Sequence, residues 1–330
     1  MRRRDFLGVL GGVAAAWPIA ARAQPSERMR RIGWLDLLPE SDPNTQARVK
    51  AFNQIIEKLG WVVGRNLTID YRWALFDAVR ARAAGAELLP LAPDVLVCGG
   101  TPATLAMQEA TRTVPIVFAA VTDPVAQGIV TNLARPAGNI TGFTYLEQTL
   151  GAKWLELLKE IAPSVKRVAL MFNPESSPYS RLFFQSMERA ISKLAVEAFI
   201  AAVRSPSDIE QAMTKLGGQA GSGVIVSADS FNYINGKLII DLAARHRVPA
   251  IYGVAGTAAD GGLLYYCVDI VESYRKAAGY VDRILRGEKP ADLPVQQPTK
   301  FQMSINRKTA AALGLPVPNA LLVSADEVIE

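Results

Sequence analysis

A chain of 330 residues, half of them apolar, has room for two packed cores, and 36 basic against 31 acidic residues give a formal charge of +5. Most of that charge lies in the first 23 residues, with four arginines and one aspartate. The remaining +2 and the lack of any block of like charges exclude a nucleic-acid-binding surface. Two cysteines, one histidine and no C-x-x-C or H-E-x-x-H spacing argue against a metal site, and no cofactor is expected.

The leader comes first. Arg2-Arg3-Arg4-Asp5-Phe6-Leu7 precedes an uncharged run, Gly8 to Ala21, too short to span a bilayer. Ala21-Arg22-Ala23 predicts cleavage before Gln24, making residues 1–23 a signal peptide and the protein periplasmic. Arg3-Arg4 with Phe6-Leu7 looks like a twin-arginine signal, with a Sec signal as the alternative route.

Arg31 to Leu37 then reads as a strand, Pro43 to Leu59 as a helix, Leu67 to Trp73 as a strand and Asp77 to Leu91 as a helix. Val95 to Cys98 is a buried strand broken by Gly99-Gly100, with Thr101 as the expected N-cap of a helix. Ile116 to Val121 is the next strand, and Asn139 to Tyr145 a short one leading to the first passage between domains. The alternation restarts with a helix ending at Pro163. Strands at Arg167 to Phe172, Ala198 to Val203 and Val224 to Val226 follow, with helices at Ser180 to Leu194 and Ser207 to Leu216 between them. One helix to about Arg245 leads to a strand at Ala250 to Val254. This last stretch repeats the pattern of Val95–Val121, implying two similar lobes. A strand at Leu263 to Cys267, a helix at Ile270 to Leu285, a strand at Lys300 to Ile305 and a helix at Arg307 to Leu313 complete the chain. Cys98 and Cys267 fall in apolar runs and are expected as buried free thiols.

The expected fold class is α/β, two doubly wound lobes with ligands beyond the carboxyl ends of parallel strands. Lobe 1 is assigned to 28–142 plus 268–297 and lobe 2 to 143–267 plus 298–330. The candidate ligand residues are strand-end groups. Gly100, Thr101 and Thr104 offer a helix N-terminus to an anion, although capping alone also explains Thr101. Asp123 or its counterpart Asp229 could meet an ammonium group, with a turn as the alternative role for Asp123. Asn173, Ser176 and Tyr252 end strands of the second lobe, Tyr252 with core packing as the other reading. Trp34 and Asp36 end the first strand and share a face, so one of them could be scaffold. No Walker lysine, G-x-S-x-G elbow or dinucleotide fingerprint is present, and no catalytic residue is assigned.

The strings GGTPAT (Gly99–Thr104), VPIVFAAVTDPVAQGIV (Val114–Val130), LARPAGNITGFT (Leu133–Thr144), the tail Tyr274–Leu315 and ADEVIE (Ala325–Glu330) resemble the substrate-binding proteins of tryptophan/tyrosine-type ABC importers, the TrpX-like group. One position departs from that pattern, Cys267 standing where the family usually has glycine. The resemblance implies a periplasmic-binding-protein type I fold with three hinge strands. It also implies a monomer that takes an amino-acid-like or carboxylate ligand in the cleft and delivers it to an inner-membrane permease with its ATPase. The alternative partner is a periplasmic receptor or sensor kinase.

Overall fold

The structure, a computed structural model, describes residues 28–145 and 149–330; the expected leader lies outside the described residues. The first lobe is built from β1 (Arg30–Asp36), α1 (Pro43–Lys58), β2 (Leu67–Trp73), α2 (Ala78–Leu88), β3 (Val95–Gly99), α3 (Thr101–Ala110), β4 (Ile116–Val121) and β5 (Ile140–Thr144). The five strands form a parallel sheet in the order β2-β1-β3-β4-β5. β3 is buried at every residue, and so is β4 apart from the half-buried Ala120, which is why these strands read as continuous apolar runs.

The second lobe adds α4 (Leu150–Ile161), β6 (Arg167–Phe172), α5 (Ser180–Leu194), β7 (Glu197–Ala202), α6 (Pro206–Gly217), β8 (Ser222–Val226), α7 (Ser230–Ile234), α8 (Gly236–Arg245), β9 (Ala250–Tyr252) and β10 (Leu264–Val268). Their order, β7-β6-β8-β9-β10, is that of the first sheet strand for strand. The chain then runs through α9 (Ile270–Leu285), β11 (Phe301–Asn306), α10 (Arg307–Leu313), α11 (Asn319–Ser324) and β12 (Glu327–Ile329). β11 is antiparallel to β10 and β12 is parallel to β11, so the second sheet has seven strands and one antiparallel ladder.

α9 returns to the first lobe. Its Tyr274, Ala277, Ala278 and Val281 pack with Ile32, Trp34 and Phe52 in one buried cluster. The second lobe has its own core, in which the fully buried Trp154 of α4 meets Phe183 edge-on at 5.1 Å and donates from Nε1 to Tyr266 O. The main chain passes between the sheets three times: between β5 and α4, at Asp269 between β10 and α9, and before β11. These crossings run side by side. Thr144 N donates to Gln296 O, Gln296 N to Gly142 O, and Asp269 N to Lys300 O. The first sheet's ladder continues through Thr144, two residues past the expected boundary at 142.

Local chemistry explains the helix ends. Asp42 and Asp77 each accept two backbone N–H bonds at the starts of α1 and α2, and Ser205 with Asp208 forms a capping box on α6. Two expectations need correction. The N-cap of α3 is Gly100, not Thr101; at φ +89° the chain enters the helix through a conformation that favours glycine. The single helix expected before Arg245 is two, broken at Asn235, whose side-chain amide donates to Phe231 O. Cys98 and Cys267 are both buried free thiols, and β10 runs through Cys267 with regular pairing.

Candidate functional site

Strand order reverses between β1 and β3 in the first sheet and between β6 and β8 in the second, and ligands of open α/β sheets lie beyond such points. A cavity of about 320 Å³ occupies that position, walled by both lobes. That volume is within the range of about 300–1,000 Å³ usual for small-molecule sites. The first lobe contributes Asp36 and Leu37 at the end of β1, Gly100 and Thr101 after β3, and Ala120 and Thr122 at the end of β4. The second contributes Ser176 after β6, Asp229 after β8 and Val254 after β9.

Of the residues expected from sequence, Asp36, Gly100, Thr101, Ser176 and Asp229 line this cavity. The other five lie off its wall. Trp34 is completely buried, edge-on to Phe52 at 5.0 Å and stacked on Tyr274 at 5.4 Å, so it is the scaffold member of the Trp34–Asp36 couple. Thr104 is buried one turn into α3, and its hydroxyl donates to Gly100 O at 2.8 Å. Asn173 is buried and organises the loop after β6, its Oδ1 accepting from Glu175 N and Ser176 N. Tyr252 is core. Asp123 is displaced by a register shift in β4: Ala120 adopts φ +62°, which turns Ala120 and Thr122 into the cavity. Asp123, at φ +43°, is left to accept from Ala126 N in a turn.

Both strand-end carboxylates are held by their own lobes. Asp36 Oδ1 accepts from Leu37 N at 2.8 Å and Leu38 N at 3.3 Å, and its Oδ2 from the Tyr274 hydroxyl at 2.7 Å. Asp229 caps α7, accepting from Asn232 N at 2.8 Å, Asn232 Nδ2 at 2.9 Å and Asn173 N at 3.3 Å. Burial is the largest influence on Asp229 and raises its pKa to about 6 against the pull of those donors. The native state thus keeps a proton that the unfolded chain has released between about pH 4 and pH 6, so stability rises as pH falls through that window. Between pH 7 and pH 5 the wild type should gain about 1 kcal/mol relative to Asp229→Asn. Urea unfolding of both proteins at the two pH values checks this, and parallel pH slopes would sink it.

Several wall residues escaped the sequence reading. Arg48 of α1 extends toward Asp36, its Nη1 3.6 Å from Oδ1 and its guanidinium 5.7 Å from the centre of the Tyr274 ring. Burial opposes its charge, but Tyr274 and Asp36 together hold its pKa above the ordinary arginine value. Tyr145 lies at the first crossing, and Tyr179 and Tyr233 come from the second lobe. The Tyr233 hydroxyl donates to Asp42 Oδ2 at 2.5 Å, accepts from Asn44 Nδ2 at 3.2 Å, and its ring lies 5.7 Å from that of Phe76. These contacts join the lobes beside the cavity. Burial and the Asp42 carboxylate raise Tyr233 to about 12, so it is a proton donor at neutral pH. Arginine at a half-buried position of an otherwise polar helix face carries no sequence signal of its own. The tyrosines carry only the general enrichment of aromatics at binding walls.

Residues 38–329 match the family model described as ABC transporter substrate binding protein. The chain belongs to that family. An ABC transporter substrate-binding protein is a binding component, not an enzyme. The chain is 26% identical to a tyrosine-binding protein of Clostridioides difficile (strain R20291), over 92% of this chain and 87% of that protein. Among solved structures it resembles a conserved domain protein from Vibrio cholerae O1 biovar El Tor, with 26% identity, a TM-score of 0.82, and coverage of 91% of this chain and 100% of that one. It also resembles the ABC domain from Streptococcus pneumonia in complex with L-Trp, with 24% identity, a TM-score of 0.81, and coverage of 91% and 99%. Its fold is that of the type I periplasmic binding proteins. No helix among the described residues is long and apolar enough to cross a membrane.

Proposed function

We propose that this substrate-binding protein is exported to the periplasm by its twin-arginine or Sec leader. There, as a monomer, it captures a small amino-acid-like or carboxylate ligand between lobe 1 (28–142 plus 268–297) and lobe 2 (143–267 plus 298–330). The observation that carries this reading is the cavity at equivalent strand ends of two sheets that share a five-strand order, bridged beside the cavity by Tyr233 and Asp42. A ligand that touches both walls binds the closed arrangement better than an open one and shifts the population toward closure. The permease and its ATPase then receive the ligand from the closed form. Asp36, Gly100, Thr101, Ser176 and Asp229 are proposed to shape the site directly. Trp34, Thr104, Asn173, Tyr252 and Asp123 act behind it by holding the strand ends in place. The names of the similar proteins, one tyrosine-binding and one in complex with L-Trp, support an amino-acid-like or aromatic ligand.

A thermal-shift screen of amino acids, aromatic carboxylates and neutral sugars tests the reading. A selective ligand at a hundred times its Kd adds about 2.7 kcal/mol to the native state and raises the midpoint by several degrees. Stabilisation by neutral sugars alone would overturn the ligand class. No stabilisation by any solute would overturn the binding role.

A further inference from the structure

Two neighbouring residues between β2 and α2, Leu75 and Phe76, have φ of +52° and +59°. Among the described residues they are the only adjacent pair of non-glycine residues in that left-handed region, which bulky side chains rarely adopt. Such a conformation persists where the surroundings over-determine it, and it gathers at sites that clamp a ligand. Here Ala74 N donates to Asp36 O at 2.8 Å and Phe76 N to Leu37 O at 3.0 Å, while Asp77 accepts two backbone N–H bonds as the cap of α2. Asp36 and Leu37 are wall residues, so the turn is tied directly to the edge of the cavity.

What the turn delivers is the Phe76 ring. Leu75 is 43% exposed and is not part of the wall, whereas Phe76 is. The Phe76 ring lies 5.7 Å from the Tyr233 ring of the second lobe, tilted by 46°, a separation at which aromatic rings attract. Tyr233 also lines the cavity, and its hydroxyl bonds to Asp42 and Asn44 of the first lobe hold its ring in place. Two rings, one from each lobe, thus form a continuous stretch of wall that neither lobe offers alone. A flat apolar group resting on both rings loses one of them when the lobes part. It therefore favours closure more than a ligand of the same charge without a ring. Phe76 also packs against a core cluster of the first lobe, and a purely structural role there predicts lost stability without lost discrimination between ligands.

We propose that Phe76 and Tyr233 form a two-ring shelf, assembled on closure, that receives the ring of an aromatic ligand and makes Phe76 a specificity-determining residue. This rests on the solute-binding reading and identifies the side chains that recognise the apolar part of the ligand.

Isothermal titration of the purified full chain with L-tryptophan, L-tyrosine and L-leucine tests it, in the wild type and in Phe76→Ala, Phe76→Leu and Leu75→Ala. At least one of the aromatic amino acids should bind the wild type about tenfold or more tighter than L-leucine. Phe76→Ala should weaken that ligand by about thirtyfold and L-leucine by no more than about threefold. Phe76→Leu, which keeps apolar bulk but loses the ring, should weaken the aromatic ligand by about two- to tenfold, the range of a ring–ring contact. Leu75→Ala, in the same turn but off the wall, should leave every affinity within about twofold. If Phe76→Ala fails to fold, Phe76→Leu carries the test. L-Leucine binding the wild type as tightly as the aromatic ligands would overturn the proposal while leaving the binding role intact. So would an equal loss for both kinds of ligand in the Phe76 variants, or unchanged affinities in both variants. If none of the three amino acids binds but another solute stabilises the protein, the proposal also falls and the binding role survives. If no solute of any class binds, both fall.

Discussion

Asp36→Ala is expected to lower the ligand-free melting midpoint by roughly 10 °C. The carboxylate is almost wholly buried at the end of β1, where it accepts from two backbone amides and from the Tyr274 hydroxyl. Alanine leaves those three donors without their acceptor and removes the carboxylate nearest to Arg48. Breaking one side of a buried charge pair costs about 3–5 kcal/mol, far more than the pair contributes against an apolar replacement. One kcal/mol moves the midpoint of a domain of this size class by about 2–4 °C. Asp36→Asn keeps one acceptor oxygen and should lose about half as much. Circular-dichroism melts of the three proteins check the order, and midpoints within about 2 °C of one another would refute it.

Tyr233→Phe and Asp42→Ala are expected to weaken ligand binding by about 10–100-fold, with little change in the melting of the ligand-free protein. The Tyr233 hydroxyl and the Asp42 carboxylate sit on different lobes, so their bond exists only when the lobes are together. A hydrogen bond to a charged group contributes about 1.5–3 kcal/mol, and each 1.4 kcal/mol is tenfold in affinity. The whole of that contribution bears on the equilibrium between open and closed forms and none of it on the core of either lobe. Asp42→Ala also removes the cap of α1, so it should lower the free-state midpoint slightly where Tyr233→Phe does not. The loss should appear mainly as faster ligand release, measured by stopped-flow dissociation. Unchanged affinity in both variants would mean that this contact does not control closure.

Much of the fold was legible because parallel strands buried on both faces leave apolar runs that end in polar residues, as at Val95–Gly99 and Ser222–Val226. The same feature marked Asp36, Thr101 and Asp229, each just beyond or at the end of a strand. Asp123 misled because alternation assumes a regular strand, and the turn at Ala120 is invisible in the sequence; alanine rarely adopts φ +62°. α11 and β12 were missed because short tail elements gain their stability from packing on β11 rather than from local pattern. Arg48 was illegible for a related reason. On paper it is one more cation on an amphipathic helix, and only the placement of α1 beside Tyr274 and Asp36 makes it a buried donor.

The return of α9 to the first lobe has a consequence for how the protein is made. Ile32, Trp34 and Phe52 wait for partners in α9 more than two hundred residues further along the chain, while the second sheet waits for β11 and β12. Neither half can finish its core until the last sixty residues have left the ribosome. A chain that stops at Asp269 would therefore carry two open, sticky lobes instead of one finished lobe and one absent one.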